Sequence, residues 1–418
     1  MSTEKTQIVI TGMGAITPIG NSVAALWEGI QTGRSGSGPI SRFDTSNYAT
    51  KIAAEVKDFN ASDYMDKREA RKMDRFTQYA VAAAKEALED AGLLEDNRIA
   101  GADSSRVGVI LGVGIGGFET FESSYRALME KGPTRVPPMT IPKLIANIAP
   151  GYVSIIYGIN GPTYSIATAC ASGTDALTNA KRWIESGVVD VVVAGGVEAS
   201  ITELGVAGFN VIQALTTQYN DTPEKASRPF DKGRDGFLMG EGSGVLILES
   251  AEHAAKRKAR VYAKLAGAAM TCDANHLTAP HPEGLGAIAA MKLAMAEAGL
   301  KPEDIDYINA HGTSTPINDP TETKAIKGAF GDHAYKLKVS STKSMTGHCV
   351  GAAGAIEAII TIKALENQYF PATMNLDEPD EECDLDYVPN KGVSGTIRAA
   401  MSNSLGFGGH NGILVFTR

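Results

Sequence analysis

One pattern limits what this chain can fold into more than any other, because it occurs twice. Residues 164–169 form a short, β-leaning apolar run that meets Cys170, after which the spacing predicts a helix over about 171–184. Residues 337–341 form a second such run. It meets a short loop holding His348, and an apolar helix is predicted over 351–365. From Arg260 onward the strands (261–266, one ending at Ala310, 337–341) and helices (286–298, 320–328, 351–365) begin to resemble the first half. Such self-similarity implies two duplicated α/β halves, divided here as 1–258 and 259–418, whose corresponding ends meet at one site. The alternation predicts mainly parallel sheets covered by helices, with chemistry at the C-terminal ends of the strands.

Two fused halves fit a chain of 418 residues that is 43% hydrophobic and 21% charged, which has ample core. The net charge of −9 argues against general nucleic-acid binding, and an acidic partner would need a local basic patch. The four cysteines (Cys170, Cys272, Cys349, Cys383) have no paired-ligand spacing. Neither a zinc site nor a disulfide framework is indicated, and a reducing compartment fits best. The first apolar run, residues 8–10, is too short for a signal sequence, and no run approaches ~18 residues, so no membrane span and a cytoplasmic location are expected.

A strand is read at 7–12 and a helix at 23–31, with Ser22 as N-cap. Residues 62–92 read as strongly helical, with Lys67, Arg68, Arg71, Lys72 and Arg75 at three- and four-residue steps on one face. That face is either simply solvated or a landing pad for an acidic carrier. A strand at 106–111 leads into Gly112-Val-Gly114-Ile-Gly-Gly117, which has GxGxxG spacing. The dinucleotide fingerprint also wants a second strand ending in an acidic residue about 20 positions on. A proline-rich loop, 133–142, stands there instead, so a nucleotide site is not expected.

Cys170 opens a helix, where free N–H groups and the macrodipole lower a thiol pKa, although most unpaired cysteines are small core hydrophobes. His311, in Asn-Ala-His311-Gly-Thr-Ser-Thr315-Pro, directly follows a strand, and His348, in Lys343-Ser-Met-Thr-Gly-His348, directly precedes a helix. Two histidines and a cysteine in such turns suit acyl transfer onto a thiolate, followed by steps that build negative charge on a carbonyl oxygen. Neutral imidazoles could hold an enolate, Lys343 could set their protonation, and the Gly406-Phe407-Gly-Gly-His410 loop could add a backbone N–H to an oxyanion hole.

These residues carry a resemblance over essentially the whole chain. From Ile10-Thr-Gly-Met-Gly through Thr168-Ala-Cys170-Ala-Ser-Gly, Ala226-Ser-Arg-Pro-Phe-Asp-Lys, His311-Gly-Thr-Ser-Thr-Pro and Lys343-Ser-Met-Thr-Gly-His348 to Gly406-Phe-Gly-Gly, the chain resembles the β-ketoacyl-[acyl-carrier-protein] synthases. It is most similar to their type II elongation branch, among the thiolase-like condensing enzymes. The resemblance implies a thiolase-like fold of duplicated α/β halves layered α-β-α-β-α. It implies that Cys170 takes the acyl chain from acyl-carrier protein, and that His311 and His348 bind the malonyl thioester carbonyl and promote decarboxylation. Lys343 and Glu357 support them, and Phe407 serves both the oxyanion hole and the gate. Ile115 borders the acyl pocket, Thr278, Thr313 and Thr315 line the pantetheine arm, and Arg68, Arg71 and Lys72 dock the carrier.

The same resemblance implies a homodimer and no required cofactor or catalytic metal, with a structural monovalent cation near the glycine-rich C-terminal loop. Leu405 and His410 depart from the phenylalanine and threonine of many members. Thr134 and Gln213 stand where arginine is common, with Arg135 as a compensating charge. A ketosynthase subunit of a type II polyketide pathway shares the Cys-His-His set and is the alternative.

Overall fold

The computed structural model describes residues 6–418. Residues 1–5, ahead of the run read as too short for a signal sequence, lie outside the described residues. One ten-stranded sheet runs through the molecule. The first half supplies β1 (Ile8–Ile16), β2 (Val107–Val113), β3 (Thr163–Ile166), β4 (Val191–Glu198) and β5 (Gly242–Ser250). The second half supplies β6 (Ala263–Cys272), β7 (Tyr307–Asn309), β8 (Lys338–Ser340), β9 (Ala399–Gly406) and β10 (His410–Thr417). Read outward from the centre, the first half runs β1-β5-β4-β2-β3 and the second β6-β10-β9-β7-β8. The two orders are the same permutation, so the duplication read from the sequence is a duplication of topology.

The expectation of mainly parallel sheets is corrected. β2 pairs parallel with β3 and β4, and β7 parallel with β8 and β9, whereas every pairing nearer the centre is antiparallel. The last strand of each half turns back against its predecessor, and β9 reaches β10 through a turn too short for a parallel crossover.

The helices that position the site are α1 (Val23–Thr32), α2 (Arg75–Asp90), α3 (Ser172–Glu185), α4 (Leu285–Ala298), α5 (Asn318–Phe330) and α6 (Ala353–Asn367). Ser22 caps α1 as read, its hydroxyl accepting from Ala25 N at 3.1 Å. Strand alternation separates the layers. Ile110, Val192 and Ala194 face a central core shared with α3 and α6, while Val109, Leu111, Val191 and Val193 face an outer core under α2. On the other side Ile308, Met401, Ile413 and Val415 pack under α4 and α5. The layers are therefore α-β-α-β-α, as expected. The middle helix α6 is apolar almost all round and buried without a break from Ala353 to Ile362, as a helix between two sheet surfaces must be. Among the described residues no helix is long and apolar enough to cross a membrane.

The helix read over 62–92 is broken. A short helix, Lys67–Ala70, stops before Asp74, whose carboxylate caps α2 at Phe76 N and also accepts from Thr120 N at 2.9 Å. Arg75 consequently leaves the basic row and pairs with Glu119, while Lys67, Arg68, Arg71 and Lys72 stay exposed.

Candidate active site

The functional turns leave the C-terminal ends of the outer, parallel strands of both halves. β3 ends at Ile166, four residues before Cys170, so the strand stops short of the cysteine instead of reaching it. A left-handed residue, Ala169 (φ 50°), starts the tight turn Ala169–Ala171, and α3 opens at Ser172. His311 follows β7 by two residues. His348 follows β8 after the single turn Lys343–Thr346. Phe407 sits in the turn between β9 and β10.

These turns converge. His348 Nε2 lies 3.0 Å from Cys170 Sγ, and the His311 and His348 rings meet edge-on with centroids 5.4 Å apart. Lys343 Nζ is 3.4 Å from His311 Nδ1 and makes a buried ion pair with Glu357. An ammonium only donates, so His311 Nδ1 accepts and the ring's proton is fixed on Nε2. Glu322 holds the His311 turn from behind, accepting from His311 N at 2.8 Å, Gly312 N at 2.7 Å and Asn403 Nδ2 at 3.1 Å. Gly312 is required there: its φ is +33°, and a Cβ would stand 2.5 Å from that of Ser341. His348 is gripped through its backbone, with its N–H donating to Leu238 O at 2.7 Å and its carbonyl accepting from Gly240 N at 2.9 Å. The Phe237 ring meets its imidazole edge-on.

Burial, with the Lys343 charge adding to it, pushes both histidines well below the usual imidazole range, so they rest neutral. The expected low thiol pKa is not found. Burial pushes Cys170 up to about 11, against the opposing pull of Lys343 and of a hydrogen bond from the Phe407 backbone. Loss of solvent outweighs both, and the resting group is a neutral thiol. Glu357 is pushed up to about 7 by burial, with Lys343 pulling against the shift.

A cavity of about 680 Å³ opens onto these groups. Cys170, His311, His348, Phe407, Thr278, Thr313 and Thr315 line it, as does Leu405. The hydroxyls of Thr313 and Thr315 stand 2.9 Å apart. Exposed Ile212 and Ile317 line the cavity too, and exposed Val211 and Leu277 adjoin lining residues in the chain. Ile115 is not on this wall: it is 39% exposed, and Val350 lies on the wall where its turn backs onto the site. Arg68, Arg71, Lys72 and Arg135 are surface residues away from the cavity lining. Buried oxygens of Glu357 (Oε2), Ser402 (Oγ) and Asn403 (Oδ1) find no partner among the described residues.

Sequence reasoning missed Glu322 and Asp273. Asp273 N–H donates to Gly409 O at 2.8 Å, and its carboxylate accepts from Asn411 Nδ2 at 2.9 Å and His281 N at 2.8 Å, tying the Phe407 turn to the loop that carries Thr278. An acid at the fifth residue of α5, the helix after His311-Gly-Thr-Ser-Thr-Pro, was the available signal for Glu322. Asp273 offered none.

Comparison with known proteins agrees with this geometry. Residues 5–254 match the family model "Beta-ketoacyl synthase, N-terminal domain" and residues 262–377 the model "Beta-ketoacyl synthase, C-terminal domain". A 3-oxoacyl-[acyl-carrier-protein] synthase 2 of Synechocystis sp. is 51% identical over 415 residues, covering 99% of each chain. Two solved structures superpose over 99% of this chain at lower identity. They are the ishigamide ketosynthase/chain length factor (TM-score 0.92, 36%, 99% of that chain) and a type II polyketide ketosynthase in complex with its acyl-carrier protein (TM-score 0.90, 32%, 100% of that chain). Fold, convergent Cys-His-His turns and full-length matches together place the chain in the β-ketoacyl synthase family.

Proposed function

We propose that this protein is the condensing enzyme of fatty-acid elongation, joining an acyl chain to a malonyl unit with both delivered on acyl-carrier protein. The observation that carries the reading is the contact of Cys170 Sγ with His348 Nε2 beside a His311 whose proton is held on Nε2. In the first stage the Cys170 sulfur attacks the acyl-carrier thioester. The carbon–sulfur bond to the carrier breaks, and the thiol proton leaves on the carrier's sulfur. Backbone N–H groups of Cys170 and Phe407 face the oxyanion, and one such donor is worth ~2.7–4 kcal/mol in a transition state.

In the second stage malonyl-carrier fills the cavity with its thioester carbonyl against the two imidazoles. Carbon dioxide leaves, and the bonding pair passes to the α-carbon while His311 and His348 N–H groups stabilise the enolate oxygen. That carbon attacks the acyl-cysteine, the bond to Cys170 breaks, and the sulfur takes up a proton. The product is a 3-oxoacyl-carrier thioester two carbons longer. The chemistry needs no redox cofactor. Cys170, His311 and His348 also form a donor set that could hold a soft metal, but the proton fixed on His311 Nε2 favours the hydrogen-bonding role.

The carrier seats over the cavity mouth, where Val211, Ile212, Leu277 and Ile317 are exposed, with Arg68, Arg71, Lys72 and Arg135 as charges toward its acidic surface. A homodimer accounts for the open sheet edge at β3 and for the exposed Tyr125, Met129, Ile141 and Ile155. The unpartnered oxygens of Glu357 and Ser402 would be donors to a structural monovalent cation, which would balance buried negative charge. A cytoplasmic location suits the carrier-dependent chemistry. Intact-mass analysis tests the reading. The purified chain incubated with acyl-carrier protein gains one acyl group, and Cys170→Ala gains none. No adduct on the native chain, or one that survives in Cys170→Ala, overturns it.

A further inference from the structure

Glu198 has no part in the chemistry above, yet it is fully buried at the end of β4, at 0% exposure. Its Oε2 accepts from Ile115 N at 3.2 Å and from Gly351 N at 3.3 Å, and Gly116 N–H also donates to the carboxylate. The GxGxxG-like turn is therefore an anion cradle whose anion is internal: the N–H groups that would meet a phosphate are occupied by a carboxylate.

The carboxylate joins two turns from opposite halves of the chain. A Cβ on Gly114 would stand 2.3 Å from Glu198 Oε2, and one on Gly351 would stand 2.4 Å from Gly114 N. Both glycines are required by this approach. Between His348 and Gly351 the chain passes through Val350 at φ 44°, a left-handed conformation that strains a β-branched residue. Val350 lines the cavity beside Cys170 and His348, and its Cγ1 would stand 2.9 Å from a Cβ on Gly114. It is thus the wall between the reacting cavity and the Ile115 turn, and the hydrogen bond to Gly351 N helps hold it in its strained position.

We propose that Glu198 is a positioning residue for acyl-chain selection, clamping the Ile115 and Val350–Gly351 turns together and so setting which chain lengths Cys170 accepts. This rests on the acyl-transfer reading. Val350 stands in the cavity wall beside Cys170, so on this proposal a short chain on Cys170 is indifferent to the clamp, whereas a long one that lies along that wall is not.

The test compares single-turnover acylation of Cys170 by four-carbon and twelve-carbon acyl-carrier protein, followed by intact mass. Glu198→Leu keeps the volume but leaves the three N–H groups unpaired. It is expected to change the twelve- to four-carbon rate ratio by at least about tenfold. Glu198→Gln keeps one acceptor oxygen and is expected to restore the ratio to within about threefold of the native value. Glu198→Asp falls a methylene short of both turns, serves where leucine abolishes folding, and should behave like leucine. An unchanged ratio in the leucine or aspartate variant overturns the proposal, as does glutamine failing to rescue. Failure of the native chain to acylate at all would instead refute the acyl-transfer reading.

Discussion

Replacing Lys343 by methionine separates what this residue does for stability from what it does for chemistry. Lys343 and Glu357 are 1% and 2% exposed, and their ion pair is backed by the contact of Lys343 Nζ with His311 Nδ1. Removing one partner of a buried pair costs ~3–5 kcal/mol, because the other is left uncompensated. Lys343→Met should therefore lower unfolding stability by about that amount, whereas Lys343→Met/Glu357→Leu, which removes both charges, should recover most of it. The chemistry follows a different course. Without the ammonium, nothing fixes the His311 proton on Nε2, and the ring is as free to present an acceptor as a donor to the malonyl carbonyl. Loss of one such donor is worth ~2.7–4 kcal/mol, or ~10²–10³ in rate. Carbon dioxide release from malonyl-carrier should fall by that factor in both variants. Acylation of Cys170 should fall about tenfold or less, through loss of the lysine's pull on the thiol. Chemical denaturation, carbon dioxide release and intact mass read the three quantities separately. A double variant that regains decarboxylation along with stability would refute the argument that Lys343 works through His311.

Because burial pushes the Cys170 thiol up to about 11, its alkylation by iodoacetamide should keep rising from pH 7 through pH 10, and a plateau near pH 8 would show that the cavity does not desolvate the sulfur. Both histidine pKa values are lowered, so decarboxylation should show no loss with a midpoint near the ordinary ~6.5 as pH falls. Stability should fall below that value over the same range, since the unfolded chain then binds protons that the folded chain does not; a decarboxylation midpoint at ~6.5 would contradict the neutral, buried pair. Reversing Arg68, Arg71 and Lys72 to glutamate should raise the apparent KM for carrier-borne substrates in a salt-sensitive way, and an unchanged KM would leave that segment merely solvated.

The residues of the site were legible in the sequence because their turns are local: His311-Gly-Thr, Lys343-Ser-Met-Thr-Gly-His348 and the Gly406–Gly409 loop each carry their own chemistry and backbone requirement in a few residues. What was not legible depends on partners far along the chain. Asp74 ends the basic helix because it also binds Thr120, a residue 46 positions on. Glu322 could be noticed as an acid in the helix that follows the His311 turn, but its bonds to His311 and Asn403 exist only once β7 and β9 pair. The protonation of Cys170 went the other way from expectation for the same reason. A helix terminus is a local feature, whereas desolvation belongs to a cavity assembled from both halves. The glycine clusters announced close approaches without saying what approached, and the occupant of the Gly112–Gly117 turn proved to be the chain's own Glu198.

The duplicated topology explains why these separate turns meet. Each half ends its outer parallel strands β2 and β3, or β7 and β8, in turns at their C-terminal ends, and the halves join antiparallel through β1 and β6. The helices that follow the equivalent strands β3 and β8 are α3 and α6, and both lie in the middle layer. They can cross there only because glycines stand at the contact: a Cβ on Gly354 would be 2.1 Å from Thr174 Oγ1, and one on Gly173 would be 2.9 Å from Ala355 N. That crossing brings the turn before each helix against the other, so Cys170 and His348, topological equivalents some 180 residues apart, end 3.0 Å from one another. The remaining two strand-exit turns are equivalents as well. The one after β7 carries His311, and the one after β2 carries Ile115 and closes on Glu198. A symmetric scaffold has thus been filled asymmetrically. On the proposed mechanism the first half supplies the group that holds a chain and the turn behind it, the second supplies the groups that stabilise a carbanion, and neither half contains a complete site alone.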